Sequence, residues 1–166
     1  MSKFLKQQYP LQLWANNPIL RVSADTIEEI TPEIREFAYD LLELMWLYEW
    51  VGLAAPQVGK SRKIIATTQW KSGKRGEKNT WEIVMINPEI VEKSTQTVLS
   101  EEACLSLPWE QWTVRRYKQI TVSYHDPEGR KHTRKFEDFN AAIVQHEIDH
   151  IEGVLFIDKL VEPKKL

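Results

Sequence analysis

Between residues 31 and 49 the apolar positions recur three and four apart: Ile34, Phe37, Ala38, Leu41, Leu42, Met45 and Tyr48. That spacing predicts an amphipathic helix of about 17 residues in the N-terminal part of the chain, ending near Glu49. Thr31, Pro32 and Glu33 supply an N-cap, a proline at the first helical position and an early acid. From Lys63 onward the period changes. The runs 63–68, 81–86, 89–93, 95–100, 119–124 and 131–136 are rich in β-branched and aromatic residues and predict short strands. Asn87-Pro88 and Asp126-Pro127-Glu128-Gly129 read as turns, the second closing a hairpin. A second helix is expected to start near Asp138, as its cap, and to stop at Gly153, a good residue just past a helix end. Phe139, Ala142, Ile143, His146 and His150 share one of its faces. Helix, many strands, helix is an α+β order with mainly antiparallel sheet.

Composition narrows the class. The 166 residues suit one domain spanning 1–166. Apolar residues at 42% and charged residues at 28% are ordinary for a globular protein. A net charge of −2 argues against binding nucleic acid through bulk charge. No apolar run approaches the roughly 20 residues of a membrane span. Residues 1–16 show no apolar signal core and are not Arg-rich, so the expected location is the cytoplasm. A single cysteine, Cys104, excludes an intrachain disulfide and suits a reducing compartment. The basic, Gly-containing stretch 71–79 reads as a solvated hairpin loop.

The strongest chemical signal is His146-Glu147-Ile148-Asp149-His150. Residues four apart sit one helical turn above each other, so both imidazoles can reach one metal ion. Glu147 lies beside them and can take a proton from bound water. A catalytic site of this kind needs a third protein ligand. Downstream, Phe156 stands where a metzincin would carry its third histidine. An acidic ligand would have to come from Glu152, Asp158 or Glu162, with only 16 residues left after His150. Upstream, Cys104 in Ser100–Ser106 offers a thiolate, a strong ligand for borderline metals. A lone cysteine is more often a small buried hydrophobe, but here it competes for a site lacking one ligand. A third stretch, Gly52-Leu-Ala-Ala-Pro-Gln57, permits close backbone approach, and Gln57 offers an amide donor for an oxyanion. Taken alone it is an ordinary Gly/Pro turn.

Together, in this order, the three stretches resemble the motifs of peptide deformylases, GxGLAAxQ, EGCLS and QHExDH. Gly52–Gln57, Glu102–Ser106 and Gln145–His150 carry the resemblance. It implies antiparallel sheets around a central helix bearing the histidines. It implies Cys104, His146 and His150 as ligands of one divalent metal, typically Fe(II), with Zn, Ni or Co as substitutes. It implies Glu147 as acid/base, with Gln57 and the Leu105 N–H stabilising the tetrahedral intermediate. N-formylmethionyl peptides of nascent chains would be the substrates, lying along the Val51-Gly52 edge. Val51, Phe139, Ala142 and Ile143 are candidate walls of the methionine pocket, or plain core. Glu102 and Arg116 would brace the Cys104 loop, or form a surface pair.

Three positions depart from the pattern. Trp50 and Ala103 replace family glycines, and Gln111 stands where many members carry an arginine. Ala103 brings strain if its φ is positive, and a narrower groove if it is not. The segment after Asp158 is short, which does not support stable ribosome docking through a basic C-terminal helix. Two other readings follow from the same residues: a metalloendopeptidase using the same helix, and a metal-stabilised peptide-binding module without catalysis.

Overall fold

The computed structural model describes residues 2–73 and 80–161. Helix α1 spans Ser2–Gln8 and α2 spans Pro32–Leu47. Helix α2 starts where its cap chemistry puts it. The Thr31 hydroxyl accepts the Ile34 N–H at 3.3 Å, and Pro32 takes the first turn. Strands β1 (Gly52–Ala54), β2 (Ile64–Trp70) and β3 (Thr80–Lys93) come next, followed by β4 (Thr97–Cys104) and β5 (Leu107–Tyr117). Then come β6 (Gln119–His125), β7 (Lys131–Glu137) and helix α3 (Asp138–Ile151). One antiparallel sheet runs in the order β1-β2-β3-β6-β7, while β4 and β5 form a separate antiparallel ribbon. The fold is α+β, in line with the hydrophobic pattern.

Helix α2 covers one face of the sheet, packing on Ile64, Ala66, Val84 and Ile86. Helix α3 covers the other, setting Ala141, Val144, Ile148 and Ile151 against Ile65, Ile83, Met85 and Val122. The segments 64–66 of β2 and 83–86 of β3 are therefore covered on both faces and buried. The opposite side of α3 meets the ribbon, whose Cys104, Leu107 and Val114 pack with Leu20, Leu155 and Phe156. Two side-chain amides register α3 between these layers. Asn140 bonds both the N–H and C=O of Trp70, at 2.9 and 2.7 Å. Gln145 does the same to Tyr117, at 3.0 and 2.9 Å.

The structure differs from the pattern in several places. Asn87-Pro88 is a bulge inside one continuous β3. Asn87 takes φ +50° and clamps the N–H and C=O of Ile27 with its amide. Asp138 does not cap α3. Glu137 holds the cap position, and Asp138, at φ +51°, makes the one-residue turn from β7 into the helix. The helix end is as read: Gly153 takes φ +74°, and a Cβ there would sit 2.8 Å from the backbone of Arg21 and Val22. Strands β1 and β5 and helix α1 were absent from the pattern. Strand β5 mixes Pro108, Glu110, Arg115 and Arg116 into its run and is stabilised by pairing with β4. Most of the basic loop, 74–79, and the C-terminal residues 162–166 lie outside the described residues.

Candidate metal centre and adjoining cleft

Helix α3 presents His146 and His150 one turn apart, and the end of β4 brings Cys104 to them. All three are buried, and their donor atoms lie within 4.8 Å of one another. Cys104 Sγ is 3.2 Å from His150 Nε2. His146 Nδ1 is 2.8 Å from a Glu102 carboxylate oxygen, which turns its Nε2 towards the sulfur. Burial alone would raise the Cys104 thiol. The His150 charge and hydrogen bonds from both histidines outweigh it and hold the sulfur well below its ordinary value. His146 is shifted the other way. Burial opposes its charge, but hydrogen bonds to Cys104 and Glu102 carry it well above the usual range. A thiolate and two imidazoles in one compact cluster suit a borderline divalent metal. The downstream acids Glu152 and Asp158 are engaged elsewhere, with Lys63 at 2.7 Å and Arg21 at 2.6 Å.

Glu102 is the hub behind the ligands. Arg116 grips it with two bonds of 2.7 Å and reaches Asp149 at 2.5 Å. Burial would push the Glu102 carboxyl up, but Arg116 and then His146 hold it at about 2. Arg116 is buried, so the surface-pair alternative falls.

Glu147 faces the same centre from the next position on α3. Burial pushes its carboxyl up to about 7, against the His146 and His150 charges that favour ionisation. Its Oε2 has no hydrogen-bond partner among the described residues. Its Oε1 lies against Gly52, where an added Cβ would come within 2.2 Å. Gly52 therefore makes room for a carboxylate, a demand separate from the approach of a peptide backbone. Gln57 is also buried. Its Oε1 accepts the Ala54 N–H at 2.9 Å, and its Nε2 lies 3.2 Å from Ser106 Oγ and 3.5 Å from Cys104 Sγ. Leu105 occupies the turn between β4 and β5, directly after Cys104.

Beside the cluster opens a cleft of about 280 Å³. Val51, Glu102, Phe139, Ala142, Ile143 and Glu147 line it, so the structure brings these sequence candidates together. Trp50, Ala103 and Gln111, the three departures, line it too. Ala103 pairs with Gln111 in the ribbon and has no left-handed φ, so its methyl takes space without backbone strain. Asp149, Ser106 and the Ala54 N–H are neighbours that sequence reasoning passed over. The acid inside HEIDH was the one available signal for Asp149.

Comparison with known proteins supplies the context. The family model described as polypeptide deformylase matches residues 13–166. The peptide deformylase of Borreliella burgdorferi is 39% identical over 149 residues, covering 90% of this chain and 86% of that protein. The crystal structure of the Thermotoga maritima peptide deformylase superposes with a TM-score of 0.81 at 33% identity, covering 92% of this chain and 97% of that one. A Met-Ala-Ser-bound class I type b peptide deformylase from Acinetobacter baumannii gives 0.84 at 31% identity, covering 92% and 98%.

Proposed function

The chain belongs to the polypeptide deformylase family, enzymes that remove N-formyl groups from nascent chains, and from that premise we propose how its own residues perform the reaction. Cys104, His146 and His150 hold one divalent metal, Fe(II) by resemblance, with Zn, Ni or Co acceptable to the same donors. When bound, that ion supplies Lewis acidity to water and to the formyl oxygen. The substrate backbone extends along Val51-Gly52 as an added strand. Its methionine side chain enters the cleft between Phe139, Ala142 and Ile143. Gln57 Nε2 and the Leu105 N–H donate to the formyl oxygen as it gains charge. Glu147 accepts the proton of the attacking water and then returns it to the leaving amine. Water thus adds to the formyl carbon, the C–N bond breaks, and formate leaves with a free methionine amine.

On this reading residues 1–166 act as one catalytic domain, with α3 as its central helix. No helix among the described residues is long and apolar enough to cross a membrane, and the proposed site of action is the cytoplasm. Neither nucleic acid nor a lasting ribosome contact enters the scheme. The observation that carries the proposal is Glu147 Oε2, which has no hydrogen-bond partner among the described residues, beside the Cys104/His146/His150 cluster. The test is formate release from formyl-Met-Ala-Ser by metal-assayed protein and by Glu147→Gln. A drop of roughly 10²–10⁴-fold in the variant is expected. No release from wild-type protein carrying one metal per chain would overturn the proposal in favour of a binding module.

A further inference from the structure

A glutamine serves as an oxyanion donor only if the correct end of its amide faces the site. The two ends are nearly the same shape, so their partners decide the orientation. At Gln57 the Ala54 N–H can only donate, and it takes Oε1 at 2.9 Å. That places both Nε2 protons at the other end. One meets Ser106 Oγ at 3.2 Å, leaving the second to face Cys104 at 3.5 Å. Ala54 alone is a single anchor about which the amide plane can swing. Ser106 is the second point, and two points fix the plane.

The two loops carrying these groups are also tied together through their backbones. The Gln12 N–H donates to the Gln57 carbonyl at 2.7 Å, and the Trp14 N–H donates to the Ser106 carbonyl at 2.8 Å. Residues 12–14 thus form a strap joining the Pro56-Gln57 turn to the β4–β5 turn. Ser106 is fully buried and Gln57 is 1% exposed, so water cannot replace either bond cheaply.

We propose that Ser106 is a positioning residue: its hydroxyl, set by the 12–14 strap, orients the Gln57 amide so that one N–H points at the reacting centre. This rests on Gln57 acting as the donor under the proposed function. The test is a double-mutant cycle in zinc-loaded protein. Gln57→Ala is expected to lower kcat on formyl-Met-Ala-Ser by about 10²–10³-fold. Ser106→Ala is expected to lower kcat by about tenfold with KM little changed, because misplacing a donor costs less than deleting it. Added to Gln57→Ala, Ser106→Ala should then cost nothing more. A second readout needs no turnover. The side-chain ¹⁵N–¹H₂ signals of Gln57, assigned by their loss in Gln57→Ala, should move and broaden in Ser106→Ala. A tenfold loss that persists in the Gln57→Ala background, or Gln57 signals unmoved by Ser106→Ala, overturns the proposal. If the wild type releases no formate, the functional reading fails, and the amide signals alone decide the role of Ser106.

Discussion

Two clusters in this molecule share one chemical recipe, a carboxylate gripped by an arginine and a histidine. Behind the metal centre, Glu102 meets Arg116 at 2.7 Å and His146 at 2.8 Å. At the β6–β7 turn, Asp126 meets Arg130 at 2.7 Å and His132 at 2.8 Å. Both carboxyls are held at about 2, their arginine and histidine partners outweighing the desolvation that would raise them. What differs is the burial of the partners, since the Asp126 side chain is itself only 13% exposed. The Glu102, Arg116 and His146 side chains are 7%, 2% and 9% exposed, whereas Arg130 and His132 are 70% and 42% exposed. Distances alone therefore say little about what a cluster does. A buried pair becomes a commitment, because removing one member strands the other without water. An exposed pair is a turn staple: Asp126 also accepts the Glu128 and Arg130 N–H groups, at 3.0 and 2.9 Å.

The sharpest way to break the comparison is to remove each arginine. Arg116→Met leaves the buried Glu102 with His146 alone and Asp149 with Lys159 alone, and is expected to cost about 3–5 kcal/mol in urea unfolding. Arg130→Met should leave the unfolding midpoint within error. Equal effects would mean that burial is not the deciding variable.

A smaller effect is expected from the carboxylate itself. Glu102→Gln keeps the shape but weakens the bond that orients His146. Metal affinity should fall roughly 10–100-fold, measured by competition with a zinc chelator. Affinity unchanged from wild type would confine Glu102 to a stability role.

Smaller again is the turn. Asp126→Asn should lower Tm by roughly 2 °C or less at neutral pH. The folded carboxyl titrates at about 2, below its ordinary value near 4. Its contribution is therefore complete above pH 4 and lost as pH falls towards 2. The gap between wild type and Asp126→Asn should close over that window. The same gap should shrink in 1 M salt, where the screening length is about 3 Å, while the Arg116→Met deficit persists. A turn gap that ignores salt would point to the Asp126 backbone bonds as its main source.

Sequence and structure divide along physical lines. The start of α2 follows from the Thr31-Pro32 cap, and the Asp126–Gly129 turn from its residues, because both are local effects. His146 and His150 could be paired from sequence because four residues make one helical turn. Strand β5 could not be seen: Pro108, Glu110, Arg115 and Arg116 interrupt its apolar pattern, and Arg116 is hidden only because Glu102 and Asp149 come to it from β4 and α3. Asn87-Pro88 looked like a turn because its anchor, Ile27, lies 60 residues away.

By itself the sequence determined the class of fold, the helical pair of histidines, the cysteine that could join them and the family they resemble. These rest on short-range periodicity and on residue chemistry, which are present in the linear chain. Only tertiary structure decided that Gly52 is a glycine for Glu147, that Arg116 is buried, and that Ser106 holds Gln57. Each of those depends on two segments distant in sequence meeting at under 4 Å, a condition set by packing.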